Sequence, residues 1–580
     1  MIVGPFFAFA WPRGQPLSPR LQRVIAIAEA APDLCKLVDL PGFIFLGSAS
    51  SSHVLIEGGG IVWGPLFDRR SSTFSIKAGD GELHAPAERF LRNFWGGYLA
   101  LRSFGDGVEI LRDPSGMVPC YIATVDGVEL ATSAPKLFFE LGLLEAERDW
   151  TVVAQALTFR DLRPAQTALR GISELLPGMA AKVGRGATRA QATWTPWRFA
   201  AEQVEIDDFA DAVGAVREAV LQVGRAWSRT AAVPIVELSG GLDSSIVTAS
   251  LALAGSAPLC ATFVPIAGDS DERDFARAVA KQFELELIEL VLDPAIVDIS
   301  RSDSSELPRP CARSFTQALD RPLQQLARSV GGDMFLGGGG GDNIFCHLQS
   351  TLPVVDLLRR RGLSAAALRS TMDVAEVADV TFWQALRSVA KRTLDREQKL
   401  PTPRRNRFMA DSAVHDLPWP QGNPWLEPSV QVLPGKRRQI WGLISISNHL
   451  EGYGRQHVAP MCSPLLSQPV VETCLRIPTW LWFNHGQNRS VAREAFRGLL
   501  PNSILGRRSK GAFDTLAANV IRRNASRLRS MLLDGVLVRQ GVADPAKISA
   551  AFERPLPDGR AIVDLLVLAD VEAWVCAWGE

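Results

Sequence analysis

Two architectures in one chain are what this sequence predicts: an α+β domain rich in short strands over residues 1–200, and an α/β domain with a doubly wound parallel sheet over residues 206–580. Three observations carry that reading. A chain of 580 residues is too long for a single core. Its first third repeats short apolar or alternating runs broken by turn residues, as hairpins do. From residue 207 onward, apolar runs of strand length alternate with helical patterns, the signature of a parallel sheet.

Composition narrows the class. The chain is 47% hydrophobic and 21% charged, as in globular proteins. Its 62 basic and 62 acidic residues cancel, so net charge gives no reason to expect nucleic acid or an acidic membrane surface as partner. The eight cysteines are scattered with no C-x-x-C pair, which argues against a zinc site or a disulfide scaffold and fits a reducing cytoplasm. No stretch reaches the roughly 18 apolar residues of a membrane span.

Taken in order, Met1–Trp11 is apolar but lacks a basic flank and stops at Pro12-Arg13, so a buried strand is expected rather than a signal peptide. Further strands are expected at His53–Glu57, Gly97–Arg102, Val108–Leu111, Cys120–Val125 and Val128–Thr132, with turns at Gly105-Asp106-Gly107 and Asp126-Gly127. From Asp207 a helix is expected. Phe209, Val213, Val216, Val220, Val223 and Trp227 recur on one face of it, which reads as core packing.

Residues 233–245 concentrate the chemistry. An apolar run ends at Leu238; Ser239-Gly240-Gly241-Leu242-Asp243-Ser244-Ser245 follows, and Ser244–Ala254 has helical character. Glycines permit a tight turn and close approach, while hydroxyls and the N–H groups of a helix start suit phosphate oxygens. Asp243 would repel phosphates unless it holds a Mg²⁺ that bridges to them. The loop lacks the Gly-Lys-Ser/Thr of a Walker motif. A plain βα turn rich in Ser and Gly is the alternative.

These seven residues resemble the pyrophosphate loop of ATP pyrophosphatases, the asparagine synthetase family in particular. Phe94-Trp95-Gly96-Gly97-Tyr98, Arg112–Gly116, Ala131–Ala134, Leu175–Gly178 and Trp194–Trp197 are similar to successive landmarks of that family's N-terminal glutaminase domain. The resemblance implies an Ntn-glutaminase-like sandwich in front of an ATP-pyrophosphatase domain. It implies ATP against Leu238, Ser239, Gly240, Gly241, Leu242, Asp243, Ser244, Ser245, Val264, Gly337 and Gly338, with Mg²⁺ as the second cofactor.

Beyond the loop, strands are expected at Leu259–Pro265 and Leu285–Leu290, with a helix at Arg273–Phe283 between them. Asp271-Glu272 can cap that helix or meet the ligand. Asp333–Phe345 runs from a strand into five glycines and Asp342, a pattern suited to close approach of backbone to a ligand. In the family this loop carries the second Mg²⁺-binding aspartate, which makes Asp342 a metal ligand; Gly337 stands where the family has a serine.

Residues 351–440 hold 15 basic and 9 acidic residues, readable as solvated helix faces or as a rim attracting an acidic peptide. Asn448–Tyr453 and Ser463–Leu466 again resemble the family near its reacting carboxyl, making His449, Glu451 and Tyr453 candidate general bases, although a core His or Tyr commonly just satisfies hydrogen bonds. Leu505–Asp514 resembles the segment that sets a lysine over the acyl-adenylate. Lys510 is that residue, with a surface basic cluster as the alternative.

The family's glutaminase uses an N-terminal cysteine as nucleophile; here position 2 is Ile2 and no cysteine precedes Cys35. The N-terminal domain is therefore expected to release no ammonia and to serve as structure or as a substrate surface. An amine carried by the substrate is then expected, as in β-lactam synthetase-like enzymes and lasso peptide cyclases. The second branch is resembled most, which implies a precursor core peptide as partner and a leader peptidase beside it. Ammonia-dependent asparagine synthesis and a non-catalytic scaffold are the remaining alternatives.

Overall fold

The computed structural model describes residues 3–70, 81–184, 188–265, 271–395, 404–508, 514–553 and 559–579. Two six-stranded antiparallel sheets make up the first third of the chain. One runs in the order Ser173–Glu174, Tyr121–Val125, Val128–Thr132, Phe6–Ala10, Phe43–Gly47, Cys35–Leu40; the other in the order Arg189–Ala192, Met179–Val183, Gly107–Arg112, Leu99–Phe104, Gly60–Trp63, His53–Ile56. Alternation along Phe6–Ala10 shows how they stack. Phe6 and Ala8 meet Phe45, Trp63, Leu99 and Ile110 between the sheets, while Phe7 and Phe9 join a second core with Leu21, Val24 and the C-terminal Trp574. All five residues of that strand are buried, which accounts for an apolar run without alternation.

The second domain opens as expected. The helix Phe209–Trp227 is capped by Asp208, whose carboxylate accepts from the Asp211 N–H at 3.0 Å. Val216, Val220, Val223 and Trp227 are buried on its inner face. A five-stranded parallel sheet follows, in the order Leu287–Leu292, Leu259–Pro265, Pro234–Glu237, Met334–Leu336, Met461–Cys462. The strand after Pro234–Glu237 lies on one side of it and the third one on, Met334–Leu336, on the other. That reversal is a topological switch point, where a crevice opens at the carboxyl ends of the strands. The loops after Glu237 and after Leu336 both leave the sheet there.

Several boundaries differ from expectation. The helix after the Ser-Gly loop begins at Leu242, with Gly241 as its N-cap, so Leu242 and Asp243 belong to its first turn. The third strand lies at Leu287–Leu292, and the helix before it ends at Gln282. In the basic segment, Arg360 pairs with Glu202 and Glu205, Arg361 with Asp207, Arg405 with Asp411 and Arg407 with Asp564. Three of these four arginines pair with acids from other parts of the chain, while Arg369, Arg387, Lys391 and Arg392 are exposed, as on a solvated face. Among the described residues no helix is long and apolar enough to cross a membrane.

A buried ionic cluster joins the two domains. The Glu174 carboxylate takes Arg112 at 2.6 Å, Arg163 at 2.8 Å and Arg309 at 2.7 Å. Burial alone would raise its pKa, but the three guanidinium groups hold it well below the usual carboxylate range. Arg163 reaches onward to Glu451, and the Tyr121 hydroxyl donates to the same carboxylate at 2.6 Å.

Candidate active site

At the switch point lies a cavity of about 370 Å³. Ser239, Gly241, Leu242, Asp243, Ser244, Gly337 and Gly338 line it, so the two loops singled out in the sequence converge on one space. Leu238, Gly240, Ser245, Val264 and Asp342 stand outside that lining. The Leu238 side chain is fully buried and its N–H donates to the Ala261 carbonyl. The Ser245 hydroxyl is spent on the Gly241 carbonyl at 2.8 Å. Val264 lies within a strand, paired with Val291. Gly240 has φ +69°, and a Cβ there would come within 2.4 Å of Phe275 Cβ, so its role is to turn the chain tightly against the next helix.

The glycine run does more than admit a ligand. A Cβ at Gly341 would lie 2.4 Å from Asp243 Cγ. The second loop therefore packs its backbone onto the first turn of Leu242–Leu253, and this contact brings Asp243 and Asp342 together. One nitrogen of Arg489 reaches Asp342 at 2.6 Å and Asp243 at 3.3 Å. Arg489 itself has φ +54°, in the left-handed region that few non-glycine residues adopt.

Cations ring the same space. Arg489, Arg493 and Arg507 all line the cavity. Burial pushes Arg493 down to about 10, and its guanidinium donates to the carbonyls of Leu505 at 2.6 Å and Arg507 at 2.9 Å. Arg507 pairs with Glu272, which also borders the cavity. Asp271 instead accepts from the Arg273 N–H at 3.1 Å, so of the acidic pair one residue serves the helix start and the other faces the site. Reading the sequence by motif missed these arginines. The available signal was Arg489 and Arg493 four residues apart, flanking the start of the helix Ser490–Ala495.

Of the three candidate bases, His449 and Tyr453 border the cavity and Glu451 does not. Glu451 is buried against Arg163 and Tyr121 at the domain interface, so its carboxylate is engaged there. Burial, with Arg313 adding to it, pushes His449 down to about 3. It is neutral at every physiological pH, and its ring accepts a hydrogen bond from the Arg313 guanidinium. Burial raises the pKa of Tyr453, which leaves it a phenol and a hydrogen-bond donor. Lys510 lies outside the described residues.

The arrangement suits an anion carrying several charges: backbone N–H groups at a helix start, serine hydroxyls and three guanidinium groups. The residues also fit Mg²⁺. Two carboxylates that one cationic nitrogen can reach are hard oxygen donors, and among the described residues no third acidic, His or Cys side chain completes a metal cage. A magnesium ion is commonly held in this way, by one or two carboxylates with phosphate oxygens supplying the rest.

The family model for asparagine synthase matches residues 222–576. The chain belongs to the asparagine synthase family. This is a family of ATP-dependent, AMP-forming carbon–nitrogen ligases, and the matched span includes both loops, both aspartates and the arginine ring. No curated protein matches the chain. Among solved structures it is similar to glutamine phosphoribosylpyrophosphate amidotransferase from B. subtilis complexed with ADP and GMP, at 8% identity and TM-score 0.21, over 43% of this chain and 64% of that one. A second is described as the allosteric regulatory enzyme of purine biosynthesis, at 10% identity and TM-score 0.19, over 44% and 58%. The chain thus spans less than two thirds of either structure, and likeness at these scores carries no argument.

One buried carboxyl near the site yields a pH prediction. Asp570 accepts from the Ser314 N–H at 2.9 Å, and burial raises its pKa to about 7. The folded state therefore binds this proton more tightly than the unfolded chain, whose aspartate titrates at about 3.9. Its contribution to stability is present below about pH 4 and is lost as pH rises to about 7. Asp570→Asn keeps the acceptor and removes the charge, so its denaturation midpoint should gain on the parent's between pH 5 and pH 8. Equal midpoint differences at both pH values would contradict the shift.

Proposed function

We propose that this ligase is a lasso peptide cyclase: it adenylates a side-chain carboxyl of an Asp or Glu in a core peptide and joins it to the peptide's own N-terminal amine. The observation that favours an amine carried by the substrate is the set of thiols in the N-terminal domain. Cys120 is buried, which pushes its pKa up to about 12. Cys35 sits on an edge strand, its thiol donating to the Gly47 carbonyl at 3.1 Å. Neither lies at a chain start where its own α-amine could serve as the base that an N-terminal glutaminase cysteine uses. A tethered amine meets the activated carboxyl at high effective concentration and needs no ammonia supply.

In this reading the Ser239–Ser244 loop and the arginine ring hold the triphosphate, and Asp243 and Asp342 hold Mg²⁺, which when bound screens the phosphate charge. The substrate carboxylate attacks the α-phosphorus, the bond to the β-phosphate oxygen breaks, and pyrophosphate leaves. The amine then attacks the acyl carbon, AMP departs with the bonding electron pair, and the amine's proton is lost. Lys510 would steady the α-phosphate and the developing oxyanion. The partner is the core peptide, with a leader peptidase acting before it, in a cytoplasmic setting.

The test is the product. ATP, Mg²⁺ and a leader-free peptide with a free N-terminus and an internal Asp or Glu should give a product lighter by one water, with AMP and pyrophosphate. Acetylating the N-terminus should stop ring closure. Free asparagine from aspartate and ammonium, or a β-lactam from a small β-amino acid, would overturn the cyclase reading and leave adenylation standing.

A further inference from the structure

A second cavity of about 380 Å³ lies against the first, and Arg313, Phe315 and His449 line both. Its other walls come from opposite ends of the chain. Ala156, on the helix Trp150–Thr158, and Phe159 represent the N-terminal domain, and Leu566 and Val567 the helix Gly559–Ala577. A nucleotide is served by one space of the first cavity's size, so a second of equal size is available to another reactant.

The charges on its wall differ in how they are occupied. Arg309 is held by Glu174 at 2.7 Å and Arg160 by Asp564 at 2.8 Å. Arg404 lies 3.5 Å from Asp161. Arg313 is the exception: among the described residues it makes no salt bridge, its guanidinium donates to the His449 ring, and the acidic group it faces on this wall is the buried carboxyl of Asp570, which Ser314 already engages. A half-buried cation with no carboxylate in salt-bridge contact, where two cavities meet, can seat an anion from outside the protein.

We propose that the second cavity receives the peptide chain of the substrate, and that Arg313 seats the carboxylate to be adenylated at the wall shared with the nucleotide. This rests on the peptide-ligase reading above. Adenylation needs the carboxylate beside the α-phosphate while the rest of the chain is kept out of the nucleotide's space, and two chambers with a common cationic wall provide that. It also gives the N-terminal domain a function without glutaminase chemistry. Its 152–159 segment builds one side of the peptide's chamber.

The experiment measures ATP–pyrophosphate exchange supported by a mixed library of C-terminally amidated peptides, each with a free N-terminus and one internal Asp or Glu, against free amino acids. Ala156→Trp and, as a second blocking variant, Val567→Trp should raise the half-saturating peptide concentration at least about tenfold. Both should bind a fluorescent ATP analogue as the parent does. Arg313→Gln should raise it by about ten- to a hundredfold, the range for losing a charge-assisted bond, with partial recovery in Arg313→Lys. Exchange supported by peptides but indifferent to all of these substitutions would overturn the chamber and leave the cyclase reading intact. Exchange supported by free amino acids alone, or by no peptide, would overturn that reading and the chamber with it.

Discussion

Asp243→Asn and Asp342→Asn are each expected to lower carboxylate-dependent ATP–pyrophosphate exchange by at least about a hundredfold, the scale for losing one preorganised charge partner. Each substitution removes half of a carboxylate pair that one Arg489 nitrogen bridges at 2.6 and 3.3 Å. The remaining carboxylate stays with that arginine, so neither variant leaves a lone buried charge and both should unfold cooperatively. A loss through the metal has a second mark: the Mg²⁺ concentration for half-maximal exchange should rise in both variants, because the asparagine oxygen is a neutral donor. Exchange close to the parent's in either folded variant would remove that aspartate from the site.

Glu174→Ala should produce the largest loss of stability. Its carboxylate compensates Arg112, Arg163 and Arg309, and the Arg112 and Arg163 side chains are 99% buried. Removing one partner of a buried ion pair costs about 3–5 kcal/mol, because the charge left behind has no water to return to. The pH dependence has a definite sign. A glutamate whose folded pKa is depressed contributes stability that is complete above its unfolded pKa of about 4.3 and is lost as pH falls through the folded value. The parent should therefore lose stability in strong acid through this cluster, and the variant should show less of that loss. A chemical denaturation midpoint unchanged by Glu174→Ala at pH 7 would mean that the cluster does not hold the domains.

Much of the site was legible in the sequence because its loops are local. Ser239–Ser245 carries its own strand end, turn and helix start, so the chemistry of a phosphate cradle can be read from seven consecutive residues. Asp342, at the end of a glycine run behind a strand, was singled out by the resemblance of that run to the family's second loop. The burial of Glu451 at the domain interface was not legible, because its partners, Arg163 and Tyr121, lie 288 and 330 residues away. A carboxylate one residue from the cavity-lining Leu450 and two from Tyr453 gives no local sign of which way it faces. His449 was a candidate base by residue type alone, and its neutral state follows from burial and from Arg313, 136 residues earlier.

The sequence by itself determined what depends on neighbours along the chain: a β-rich part followed by an α/β part, the strand–loop–helix order, and the Ser-Gly turn and glycine run that carry Asp243 and Asp342. Periodicity, turn chemistry and helix starts act over a few residues, so they can be read without coordinates. Only the tertiary structure decided which of those residues share a space. It set Gly341 against Asp243, placed Arg489 between the carboxylates, paired Arg360, Arg361 and Arg407 with distant acids, buried Glu451 in the domain interface and set Arg313 between two cavities. Long-range electrostatics and burial control those outcomes, because the worth of a charge depends on the distance to its partner and on the water excluded around it, and neither is a property of the order of residues.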